Sequence, residues 1–250
     1  MYFYAASQAA FLFVNIFNTE VKFMFKLLVN GDGGLTTAGY TVTIIAGIIM
    51  FIAALVFAAK NSEKRKMSTQ QLVFCAVAIA LAFATSYIKL YELPWGGSVT
   101  LCSMLFIVLA GNWYGVGTGV LVGLTYGILQ FLQGPYVLSF FQVGCDYIFA
   151  FAALGLSGLF RNQKNGLLKG YITAVLARGL FHTIGGYLYW MAYMPDAFPE
   201  SLAAVYPVVY NYSYLLIEGI ITVIIISIPA VKNALNTVKK MAVEGKKIKG

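Results

Sequence analysis

Residues 40–59 (YTVTIIAGIIMFIAALVFAA) carry no charged side chain. A helix needs about 20 mostly apolar residues to cross the hydrocarbon core of a bilayer, at about 1.5 Å rise per residue. Six further apolar segments follow, with approximate limits 70–91, 99–111, 114–133, 138–160, 168–193 and 207–231. Only 10% of the 250 residues are charged, against 60% hydrophobic. Soluble domains usually hold about 25% charged residues, so too little polar surface is left to face water. The even spread of the segments predicts one bundle of membrane helices.

The net charge of +8 raises the alternative of a nucleic-acid binder, and the placement of the charges excludes it. Thirteen of the seventeen Lys and Arg fall in three short clusters. These are Lys60, Lys64, Arg65 and Lys66; Arg161, Lys164 and Lys169; and Lys232, Lys239, Lys240, Lys246, Lys247 and Lys249. Basic residues confined to connectors follow the positive-inside rule for cytoplasmic loops. Loops 60–69 and 161–167 and the C-terminal tail are therefore expected inside. Loops 92–98, 134–137 and 194–206 are expected outside. No basic face with interleaved aromatics exists outside the tail, so no nucleic-acid partner is expected.

Catalytic signatures are missing. The sequence has no GxxxxGK[ST] phosphate loop, no HExxH, no GxSxG and no CxxC pair, and these motifs mark ATPase, metalloprotease, hydrolase and redox chemistry. With one histidine and few carboxylates, neither an enzyme nor a metal site is expected. Cys75, Cys102 and Cys145 all lie in apolar runs and read as small buried hydrophobes.

Ionisable side chains inside a membrane span are costly and usually functional. Four stand out: Asp146, Arg178, His182 and Glu218. Counting along the helices from their outer ends places Asp146 roughly 12 Å deep, His182 roughly 15 Å and Asn211 roughly 6 Å. Trp190 and Tyr206 fall near the outer surface. These five are expected to surround one cavity open to the outside. Arg178 and His182 share a helix face as i,i+4 neighbours. Arg178 and Glu218 lie deeper and are expected to form an ion pair. Asp146 has no basic partner at its depth, which points to a cationic or hydrogen-bonding ligand.

The segment from 70 carries Ala76, Ala80 and Ala84 four residues apart. Such a stripe makes a smooth face on which a second membrane helix can pack closely. It predicts either internal packing of the bundle or docking of a separate membrane subunit.

Three motifs, in order along the chain, carry a resemblance: CDYIFAFAALGLSGLF at Cys145 to Phe160, RGLFHTIGGYLYW at Arg178 to Trp190, and YPVVYN at Tyr206 to Asn211. With GGSVTLCSMLFIVLAGNWYGVGTG, Gly96 to Gly119, they make the stretch from about 70 to 232 resemble the thiamin-specific S-components of energy-coupling factor (ECF) transporters. The resemblance implies an all-α membrane protein, a six-helix bundle, here with at least one extra N-terminal transmembrane helix. It divides the chain into an N-terminal extension, 1–66, with a transmembrane helix at 40–59 and a basic hinge, and a thiamin-binding domain, 67–250, with a basic cytoplasmic tail. It implies thiamin uptake across a bacterial cell membrane. The ligand would be captured outside and passed inward with a transmembrane coupling subunit and two ATPase subunits. Thiamin would be cargo, with no cofactor.

Carried over by position, the resemblance implies Asp146, Tyr147, His182, Trp190, Tyr206 and Asn211 as ligand contacts, with Trp95 as the candidate from the loop after the first helix of the domain. Ala76, Ala80 and Ala84 would face the coupling subunit. The chemistry is coherent: aromatic faces attract the thiazolium cation, and carboxylate, amide, hydroxyl and imidazole groups can meet the aminopyrimidine edge. An S-component for another vitamin or a thiamin precursor, a membrane enzyme, or a structural membrane protein are the alternatives.

Overall fold

The computed structural model describes residues 67–93 and 97–244, together with 23, 26–29, 36–42, 45 and 49. Most of the expected span at 40–59 and the loop residue Trp95 lie outside the described residues.

Helix α1 (Thr69–Ser86) starts at Ser68, whose hydroxyl accepts the Gln71 N–H as an N-cap. The chain then forms a short antiparallel hairpin, β1 (Lys89–Glu92) with β2 (Ser98–Thr100). Segment 70–91 is thus helical only as far as Ser86, which corrects the expected limit. The remaining helices are α2 (Ser103–Tyr114), α3 (Val116–Gln133), α4 (Phe140–Phe160), α5 (Gly166–Gly185), α6 (Tyr206–Ser227) and α7 (Pro229–Glu244). Segment 207–231 is split because Ile228 precedes Pro229 and is held extended, with φ −62° and ψ 125°. Among the described residues, Thr69–Ser86, Val116–Gln133, Phe140–Phe160 and Glu200–Ser227 are long and apolar enough to cross a membrane. With no water available to the backbone in lipid, helices are the form such segments must take. The protein is an all-α membrane protein.

Helix α4 sits at the centre, against α2, α3 and α5. It packs closely on α3 because Gly127 presents no side chain: a Cβ there would run into the Tyr147 carbonyl oxygen and come within 3.1 Å of the Phe151 Cβ. The core beneath joins Met104, Ile107 and Val108 of α2 to Tyr126, Leu154, Tyr171 and Leu215, all nearly inaccessible. Leu, Ile and Val side chains on the outer faces of α1, α5 and α6 stay exposed, as a lipid-facing surface requires.

Helix α7 is amphipathic. Val231, Leu235, Val238 and Ala242 lie on the side turned to the bundle. Tyr114 donates its hydroxyl to the Ala242 carbonyl at 3.1 Å, and Gln70 donates to the Met241 carbonyl. The end of the bundle bearing Tyr114 and α7 is therefore opposite the end bearing the hairpin.

Candidate functional site

At the hairpin end, α1, α3, α4, α5, α6 and the hairpin enclose a cavity of about 650 Å³. Two π-helical turns shape it: Gly144–Phe149 within α4, and Gly186–Trp190, which continues α5. A π-turn inserts an extra residue and rotates the side chains that follow, and such turns are frequent at functional sites. Here the first turn carries Asp146 and Tyr147 to the cavity wall, and the second carries Trp190.

Of the seven residues implied as ligand contacts, six line this cavity: Asp146, Tyr147, His182, Trp190, Tyr206 and Asn211. Trp95 is outside the described residues. No Lys or Arg among the described residues pairs with Asp146, as expected, but the carboxylate is not without hydrogen-bond partners. Gln142 Nε2 donates to its Oδ2 at 2.6 Å and Trp190 Nε1 donates to the same oxygen at 3.4 Å. His182 Nδ1 lies 3.1 Å from Oδ1. Neutral donors on α4 and α5 do what a counting of cations could not reveal. Gln142 is only 1% exposed; its place one helical turn before Asp146 was the available signal.

The expected ion pair between Arg178 and Glu218 is absent. Arg178 Nε donates to His182 Nε2 at 3.2 Å, and its guanidinium carbon lies 4.3 Å from the centre of the Phe151 ring. Glu218 turns the other way, to the junction of β2 and α2. Its Oε2 accepts the Thr100 backbone N–H at 2.9 Å and the Thr100 hydroxyl at 2.7 Å; its Oε1 accepts the Met104 N–H at 3.3 Å. Cys102, at the start of α2, has φ +56° and caps nothing with its side chain. Glu218 supplies that cap from another helix, and a carboxylate there also meets the positive end of the helix dipole.

Aromatic rings form the walls. Trp190 lies between Tyr136 and Tyr193, with ring centres 5.1 and 5.2 Å away. Across the cavity, Tyr206, Tyr210 and Tyr214 follow one another along α6. Tyr147 donates its hydroxyl to the Gly134 carbonyl at 3.0 Å, and Asn211 Nδ2 donates to the carbonyls of Pro207 and His182 at 2.8 and 3.2 Å. Both therefore already hold elements of the site together. Tyr136, Tyr193, Tyr210 and Tyr214 are lining residues that sequence reasoning missed, because 17 tyrosines in 250 residues hide any four.

With His182 neutral, the described lining residues include three carboxylates (Glu92, Asp146, Glu218) and two cations (Lys89, Arg178), a net charge of −1. Lys89 and Glu92 pair at the exposed rim at 2.7 Å. The described lining sets ten Phe, Trp and Tyr rings beside fourteen polar or charged side chains, in a concave site of a size suited to a small molecule.

Fold and cavity define a helical membrane protein with a pocket for a small organic molecule. Residues 72–237 match the family described as thiamine transporter protein, and the chain belongs to that family. Its members are transporters, not enzymes. The chain is similar to the thiamine transporter ThiT of Bacillus subtilis (strain 168), 28% identical over 180 residues that cover 66% of this chain and 91% of the relative. Among solved structures it resembles ThiT from Listeria monocytogenes, with a TM-score of 0.51 and 26% identity over 64% of this chain and 94% of that one.

Proposed function

We propose that this protein binds thiamin from outside the cell and delivers it inward as the substrate-binding subunit of an ATP-driven ECF transporter. The observation that carries the reading is the cavity: aromatic walls around the partly buried Asp146 carboxylate, with a net charge of −1 over the described lining residues, suit an aromatic monocation. The hairpin end would face outward. The end with α7, which carries Lys232, Lys239 and Lys240, would face the cytoplasm, as the placement of lysines suggests. Energy would come from partners, because the chain has no phosphate-binding loop of its own. Ala76, Ala80 and Ala84 are exposed on α1, while Ala82 on the opposite side is fully buried. That arrangement favours the stripe as a docking face for the coupling subunit over internal packing.

Thiamin titration of the purified protein tests the first step. Trp190 stands against the proposed ligand, so micromolar thiamin should quench intrinsic fluorescence. Folded protein that shows no quenching and no bound radiolabelled thiamin refutes the assignment. Pyrimidine and thiazole fragments should bind more weakly than the whole vitamin; equal binding by a fragment would favour a precursor as the cargo.

A further inference from the structure

We infer that Arg178 is a positioning residue that acts on the ligand site through His182, by fixing which ring nitrogen carries the proton. The inference rests on the thiamin reading for its consequence, but not for its geometry. Arg178 Nε can only donate, and it donates to His182 Nε2. That nitrogen must therefore be the unprotonated acceptor. The proton is left on Nδ1, which points at Asp146 Oδ1, 3.1 Å away. Which imidazole nitrogen is protonated is set by the hydrogen bond that the other one makes. The guanidinium is itself held in place, over the Phe151 ring.

The arrangement keeps a cation close to Asp146 without letting one touch it. Among the described residues, the titratable groups around the ring are Asp146 from α4, Arg178 from α5 and Tyr214 from α6, whose ring centre is 6.3 Å away. Tyr126 from α3 and Tyr147 from α4 line the same cavity, while Glu218 is engaged by Thr100 and Met104. A second proton on His182 would have to displace the Arg178 N–H from Nε2 and would bring two positive charges together. With that site blocked, the imidazole donates one neutral hydrogen bond, and the Asp146 charge stays available to a cationic ligand. Without Arg178, Nε2 is free to take a proton. The imidazolium would then neutralise Asp146 and compete with the ligand.

The protein has a single histidine, so 15N NMR of labelled imidazole reads one residue. The expected spectrum of the wild type shows Nδ1 protonated and Nε2 bare from pH 5.5 to 8. An Nε2–H ring, or an imidazolium at pH 6, overturns the inference, whether or not any variant folds. Arg178→Met should lose the single tautomer and take up a proton in that range, and Arg178→Lys should restore the wild-type spectrum. Thiamin affinity gives the second readout. It should vary less than about twofold with pH in the wild type and in Arg178→Lys. In Arg178→Met it should fall by up to about tenfold per pH unit on the acid side of the imidazole titration, and His182→Gln in that background should abolish the fall. A flat profile in Arg178→Met overturns the inference. If the wild type binds no thiamin at any pH, the proposed function fails by itself, and the spectra alone decide the role of Arg178.

Discussion

Glu218, on α6, accepts both the backbone N–H and the hydroxyl of Thr100, at 2.9 and 2.7 Å, and so ties the last residue of the hairpin to the far helix. The carboxylate is 2% exposed. Its removal leaves buried donors without partners.

That geometry predicts a specific mutational pattern. Glu218→Met should destabilise the protein by about 3–5 kcal/mol, the usual cost of breaking a buried charged network from one side. Glu218→Gln should cost less, since one acceptor oxygen remains. Arg178→Met combined with Glu218→Met should give the sum of the single effects to within about 0.5 kcal/mol, as for residues that share no contact. Denaturant unfolding in detergent measures this. A double variant markedly more stable than that sum would show that the two charges do interact.

The helices were legible in the sequence because a membrane span must be a long apolar run, and little else makes one. Hairpin β1–β2 was not: KLYE and SVT are too short to set a pattern, and the run from 70 hides the exit of α1 at Ser86. Depth counting along ideal helices did bring Asp146, His182, Trp190, Tyr206 and Asn211 to one cavity. It misses neutral partners, because it weighs only charges. Glu218 is satisfied by backbone N–H groups and a hydroxyl, and Asp146 by an amide, an indole and an imidazole. None of these registers in a count of cations. The two π-turns leave no mark in composition, although they decide where Asp146 and Trp190 point.

The exposed alanine stripe predicts a selective defect. Ala80→Trp places a large ring on the smooth face of α1 and should stop co-purification with the proposed coupling subunit. Thiamin binding by the isolated protein should be unchanged, because Ala80 is exposed and does not line the cavity. Loss of thiamin binding with the partner contact intact would overturn the assignment of this face.

Close packing of α3 on the π-turn predicts a second separation of effects. Gly127→Ala would push its Cβ into the Tyr147 carbonyl and crowd the Phe151 Cβ. Overpacking of this kind costs about 1–3 kcal/mol, and the displaced turn carries Asp146 and Tyr147. Melting temperature and thiamin affinity should both fall. Gly117, on the same helix, has nothing within 4 Å of an added Cβ. Gly117→Ala should therefore leave thiamin binding unchanged and stabilise slightly, in line with the helix propensity of alanine. Equal behaviour of the two variants would show that contact with α4 is not what Gly127 provides.

Asp146 is where the geometry and the proposed chemistry meet. Its Oδ2 takes two donors, Gln142 and Trp190, and its Oδ1 takes His182. Among the described residues, these three groups donate to the carboxylate, and of them only a protonated histidine could cancel its charge. A ligand with a positive ring or an amino group would add what the protein withholds. Charge-assisted hydrogen bonds contribute about 1.5–3 kcal/mol, or roughly tenfold to a hundredfold in dissociation constant. Asp146→Asn should weaken thiamin by about that factor. The amide also brings a donor of its own, and whichever oxygen it replaces, that donor faces another. The least crowded choice is Oδ1, against His182 Nδ1–H, so the variant should melt at a lower temperature even without ligand. Asp146→Glu keeps the charge and should be milder in affinity, while the longer side chain disturbs Gln142 and Trp190. Titration followed by Trp190 fluorescence, with bound radiolabelled thiamin as a check, separates the two effects. Wild-type affinity in a folded Asp146→Asn protein would mean that the carboxylate only organises Gln142, Trp190 and His182, and that the ligand contacts lie on the aromatic walls instead.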